Sequence, residues 1–131
     1  MRLRLAGLAL TGVALLLAAC AQPGGTAPVG LTDVAERPAE KALLAGIRAY
    51  EDGQYPESEK QLRLALKTGL ASPKDRAAAN KQLAFIYCTS NRPAECESAF
   101  RAARQADSNF ALSKSEAGHP VWGPVYRRLQ P

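Results

Sequence analysis

Sliding the chain along itself by 38 residues (84 − 46) lays Gly46 on Ala84, Gly53 on Asn91, Tyr55 on Pro93, Ser58 on Cys96, Leu62 on Phe100 and Ala65 on Ala103. Small residues recur where two helices must approach, and a residue tolerant of left-handed backbone recurs at each turn. A large apolar residue followed three later by alanine recurs on the second helix of each copy. Self-similarity of this kind restricts the fold to stacked units of one supersecondary type. The unit is a helical hairpin. From Pro38, residues Ala42, Leu43, Ala45, Gly46, Ile47, Ala49 and Tyr50 keep helical spacing until Glu51-Asp52-Gly53. A second run with Leu62, Ala65, Leu66 and Leu70 starts near Pro56, in the first turn where proline is tolerated. After a loop with Gly69, Ser72 and Pro73, a third run carries Ala77, Leu83, Ala84, Ile86 and Tyr87, and Ser90-Asn91-Arg92-Pro93 breaks it. A fourth holds Cys96, Phe100, Ala103 and Ala106 and fades at Asp107-Ser108-Asn109. The expectation is an all-α domain, two hairpins over 38–110.

The spacing resembles a degenerate tetratricopeptide repeat, with Gly46, Gly53, Tyr55, Leu62 and Ala65 in one copy and Leu83, Ala84, Tyr87, Asn91, Phe100 and Ala103 in the other. Ser58 and Cys96 stand where alanine is usual, Pro93 where an aromatic is usual, and the loop around Thr68 to Lys74 takes up the longer offset. Two such units fall short of the three needed for a self-supporting stack. Residues 111–131 are the expected cap: Phe110, Val121, Trp122, Val125 and Tyr126 can fold onto the open face of the last hairpin, and Pro124 can open a short final helix. In a repeat stack the first helices line the concave surface, which makes Arg48, Glu51 and Lys81 contact candidates beside their default reading as a solvated face.

Ahead of this domain, Arg2 and Arg4 precede an apolar run from Leu5 to Ala19, the layout of a signal peptide over residues 1–19. The run is shorter than the roughly 20 residues that span a bilayer. It ends in Leu17-Ala18-Ala19-Cys20, which resembles the bacterial lipobox. The resemblance implies lipid transfer to the Cys20 sulfur, cleavage after Ala19 and acylation of the new amino group, so the membrane is a partner through Cys20. The stretch from Ala21 to Leu31 is too rich in Gly, Pro and Ala to pack, so residues 20–37 read as a lipidated N-terminus and flexible tether. Ala21 follows the cysteine where lipoproteins kept in the inner membrane commonly carry Asp, so the destination is the outer membrane, facing the periplasm.

With Cys20 assigned to lipid, Cys88 and Cys96 remain as a pair in a compartment where disulfides persist. They flank the second hairpin turn almost symmetrically and are expected to bond, with two buried thiols as the alternative. Arg2 and Arg4 account for two of the 17 basic residues, and the remaining 15 against 12 acidic ones leave about +3. These charges are interspersed, without an aromatic platform, so nucleic-acid binding is not expected. His119, the single histidine, cannot supply the three or four ligands of a zinc site, and no metal or other cofactor is expected. A Cys-His nucleophile would need a free thiol, so no catalytic residue and no small-molecule substrate is assigned.

The order Tyr-Glu-Asp-Gly, Leu-Ala-Phe-Ile-Tyr-Cys, Cys, Phe-Arg and Ala-Gly-His-Pro-Val-Trp-Gly-Pro-Val-Tyr, over residues 40–128, resembles the TssQ family, small lipoproteins associated with type VI secretion systems. The resemblance brings no catalytic residue. It implies an accessory role at the cell envelope beside the secretion machine, and the chain is expected to be a non-catalytic adaptor that binds an envelope protein, a type VI secretion component among the candidates. A pilotin-like assembly lipoprotein of another envelope complex is the alternative, and an envelope enzyme is the weaker one. His119, Trp122 and Tyr126 are the candidate protein-binding residues if they lie on the surface, where Trp and Tyr dominate hot spots. Buried, the two large aromatics are cap residues and His119 a turn residue before Pro120.

Overall fold

A computed structural model describes Gly30 and residues 37–131; the expected signal peptide 1–19, Cys20 and nearly all of the expected tether lie outside the described residues. Six helices make up the secondary structure of the described residues, which contain no strand: α1 (Pro38–Glu51), α2 (Tyr55–Thr68), α3 (Pro73–Thr89), α4 (Pro93–Ala106), α5 (Lys114–Ala117) and α6 (Gly123–Arg128). The domain is all-α. Proline sits in the first turn of each of the four long helices, where its missing N–H leaves no intrahelical bond unmade. Ser72 adds a side-chain cap to α3, its Oγ accepting from the Asp75 N–H at 3.3 Å.

The helices pair as α1 with α2 and α3 with α4, and α2 packs on α3 to join the hairpins. Residues 38 apart do matching work. Gly53 at φ 72° and Asn91 at φ 58° each stand just past a helix end in left-handed backbone. Behind them the Gln54 N–H donates to Ala49 O at 2.7 Å and the Arg92 N–H to Tyr87 O at 2.9 Å, so both turns close by the same Schellman-type bond. In the first hairpin a Cβ on residue 46 would lie 2.7 Å from Leu62 Cγ, so glycine is what lets α1 and α2 approach. Ser58, also buried, donates from Oγ to Gly46 O at 2.7 Å across that contact. In the second hairpin Ala84, Cys96, Phe100 and Ala103 are all fully buried at the equivalent places.

α3 is the central helix. Leu83, Ala84, Phe85, Ile86 and Tyr87 are five consecutive buried residues, so this helix buries side chains around most of its circumference. α2 covers one side, α4 another, and the C-terminal segment a third through Trp122. The chain reaches that segment after α4, where Phe110 and Leu112 pack on the core, and α5 and α6 then fold back. Trp122, Val125 and Tyr126 are buried there, and α6 begins at Gly123 with Pro124 in its first turn. Val121 departs from the expectation. It is 46% exposed, because the turn commits its neighbour Trp122 to the core and points residue 121 the other way.

Candidate protein-binding surfaces

The segment 113–128 is built by local hydrogen bonds around one buried ring. Ser113 and Glu116 form a capping box: Ser113 Oγ accepts from the Glu116 N–H, and Glu116 Oε2 accepts from the Ser113 N–H at 2.8 Å. The other carboxylate oxygen, Oε1, reaches Lys81 Nζ at 2.7 Å and ties α5 to α3. Glu116 also receives the Trp122 Nε1–H on its backbone carbonyl at 2.8 Å. The indole stacks on Phe85 at 4.1 Å and on His119 at 3.3 Å, and two parallel neighbours this close must occupy opposite faces of the ring. Gly123 lies directly against the Ala117 carbonyl oxygen, where no Cβ would fit. Each residue of the Gly-His-Pro-Val-Trp-Gly-Pro run that does something visible therefore does it for the fold.

Of the residues singled out for binding, Trp122 is 9% and Tyr126 7% exposed. Tyr126 sits between Phe100 at 5.6 Å and Phe110 at 6.3 Å, with its hydroxyl accepting from the Leu112 N–H at 3.1 Å. Both polar tips are satisfied inside the domain, so these two rings are cap residues without an open face for a partner. His119 alone of the three is part-exposed, its Nδ1 accepting from the Val121 N–H at 3.2 Å. Lys81, expected on the concave face, is held by Glu116, whereas Arg48 and Glu51 are exposed, as both the contact and the solvated-face readings require.

A larger surface feature escaped the sequence. A groove of about 540 Å³ opens over α3 between α2 and α4. Leu66, Leu83, Ala99 and Ala102 supply apolar lining, and Arg63, Asn80, Arg92, Glu95 and Ser98 supply polar groups. One end is fixed by Arg92, whose guanidinium lies 4.3 Å over the Tyr87 ring while donating to Glu59 at 2.8 Å and to Glu95 at 3.2 Å. Burial and the facing Glu59 carboxylate raise the Tyr87 pKa above its ordinary value, so the hydroxyl stays protonated near neutrality. The Cys88–Cys96 disulfide joins α3 to α4 beside this end of the groove, with Cα atoms 5.1 Å apart. Among the described residues no group of three or more His, Cys, Asp and Glu could hold a metal ion, and no helix is long and apolar enough to cross a membrane. No protein-family model, curated protein or solved structure matches the chain.

The Lys81–Glu116 bridge gives the cap a pH response. Burial pushes the Glu116 carboxyl up, but the bonds from Lys81 and Ser113 outweigh it and leave the pKa below the ordinary carboxylate value. A carboxyl with a depressed folded pKa stabilises above the unfolded value, about 4.3, and that stability is lost as pH falls through the folded one. Trp122 is the single tryptophan, so its fluorescence reads the cap directly. Lowering pH from 7 to about 3 should bring the denaturant midpoint of that signal down more in the native chain than in Glu116→Gln. Parallel pH profiles would show that Glu116 carries none of the response.

Proposed function

We propose that this chain is a lipid-anchored, non-catalytic adaptor of the bacterial envelope that holds a protein-binding helical module near a membrane. Lipid on Cys20 supplies the anchor, residues up to 37 the tether, and the two tetratricopeptide-like hairpins the module. The likeness of the Tyr-Glu-Asp-Gly to Gly-Pro-Val-Tyr pattern to the TssQ family favours a type VI secretion component as the partner, on the periplasmic side of the outer membrane. The observation that carries the binding role is the groove between α2 and α4, which combines apolar lining with charged groups already fixed in place by Arg92 and Glu59. A partner helix or loop meeting such a surface loses less to side-chain ordering than it would on mobile arginines. Anchoring adds effective concentration, so a contact weak in free solution is occupied in the confined space beside the membrane.

Photo-crosslinking side chains at Ser98 and Ala102 in living cells test the groove. They should capture a secretion-apparatus protein that the same group at Lys114, outside the groove, does not. Equal capture at all three positions, or no envelope protein at 98 and 102, would overturn the assignment. The anchor is tested separately by Cys20→Ser, which should move the protein from the membrane fraction into the soluble periplasm. Unchanged fractionation would refute the lipid reading.

A further inference from the structure

We propose that the cleft between α4 and α6 docks on the phosphate headgroups of an anionic lipid bilayer. Arg101, Arg104 and Arg128 line this cleft of about 370 Å³, together with Gln105 and Leu129. One carboxylate organises two of the arginines: Glu97 takes Arg101 at 3.5 Å on Oε2 and Arg128 at 3.2 Å on Oε1. Arg104 is fixed by donating to the Leu129 carbonyl, which ties α4 to the end of α6. Three guanidinium groups against one carboxylate leave the cleft with a local excess of positive charge. The side chains of Arg101 and Arg128 are both 62% exposed, and each bond above uses one of five N–H donors on a planar fork that matches phosphate oxygens.

A protein partner would need apolar contact area inside a ring of charges, and this cleft offers Leu129 alone. A headgroup layer needs no such core, because it is met by basic side chains with an apolar residue at their edge. The choice of a bilayer rests on the anchor reading. On that reading, about 18 residues separate the lipid from the domain, and a coil of that length has an r.m.s. reach of roughly 20 Å, close enough for the domain to touch lipid headgroups. Docking then orients the domain on the membrane.

The test uses the full chain in lipid nanodiscs, with neutral phosphatidylcholine alone or mixed with phosphatidylglycerol. The Arg104 Nε–H and Leu129 amide signals are followed by NMR. Both should shift on the anionic discs and return as salt is raised. With about 1 kcal/mol per arginine near an anionic surface, R101Q/R128Q should lower the docked-to-free ratio about 30-fold, and R101K/R128K, which keeps the charge but not the planar fork, should recover only part of it. Unchanged Trp122 emission verifies that the variants keep the cap. No shift on anionic discs, or the same shift in R101Q/R128Q, overturns the proposal. An equal shift from millimolar inorganic phosphate on neutral discs overturns the bilayer as the source, and a shift produced by an acidic peptide but not by anionic discs does the same. Should the chain fail to stay on neutral discs, the anchor reading falls while a shift on anionic discs still supports the cleft.

Discussion

Phe100→Ala should lower the unfolding free energy by about 4 kcal/mol, seen as a fall in the urea midpoint without a change in slope. Phe100 is 0% exposed and is the largest of the fully buried side chains. Its ring lies 6.2 Å from Phe85 and 5.6 Å from Tyr126, so it is where α3, α4 and α6 meet. Truncation removes the transfer free energy of the ring and leaves a cavity that rigid helices on three sides cannot close. A domain of this size holds only about 5–15 kcal/mol in total, so the variant would lose from about a quarter to most of its stability. Because the cavity opens under α6, Trp122 fluorescence and helical circular dichroism should be lost together. Phe100→Leu keeps most of the volume and should cost about 1.5 kcal/mol or less. A loss below about 1.5 kcal/mol for Phe100→Ala would mean the cap collapses to refill the space, and that α6 is less firmly placed than its contacts indicate.

The same residue shows why the hairpins were legible in the sequence. Phe100 and Leu62 repeat because each must fill the gap between the helices of its own hairpin, and a local geometric demand leaves a local, periodic trace. Gly53 and Asn91 are legible for a similar reason, since positive φ narrows the choice of residue. The cap was legible as a cap but not in its detail. No period runs through a segment punctuated by Gly and Pro, and the direction of each ring is set by partners elsewhere. Glu116 O accepts from the Trp122 N–H, and the Tyr126 hydroxyl oxygen accepts from the Leu112 N–H. Hence Val121 and Trp122 read alike as apolar, and only the fold separates the exposed one from the buried one. Lys81 looked available for contact because its ion-pair partner lies 35 residues away. The groove left no trace at all. Its fixed point is an Arg92–Glu59 bridge that spans 33 residues and two hairpins, which no motif or spacing announces.

Removing the Cys88–Cys96 bond should cost about 2.5 kcal/mol, the loop-closure value for a separation of 8 residues. The replacement at residue 96 should modulate that figure, and the first hairpin shows how. Ser58 occupies the matching place and is buried, yet its hydroxyl is satisfied by donating to the carbonyl of Gly46 on the facing helix. By the same 38-residue correspondence, the matching acceptor for a serine at 96 is the Ala84 carbonyl. Cys88→Ala/Cys96→Ser should therefore be more stable than Cys88→Ala/Cys96→Ala by about 1 kcal/mol, the net worth of one buried hydrogen bond and the space it fills. The expected order of urea midpoints is the oxidised native chain, then the serine variant, then the alanine variant. A reductant should lower the first and leave the other two unmoved. A serine variant no better than alanine would mean that the two hairpins, alike in turn and packing, differ in the distance between their helices at this depth. Reduction that leaves the native midpoint in place would remove the disulfide from the list of forces holding α3 to α4, and leave the Arg92–Glu59 bridge to fix the groove they line.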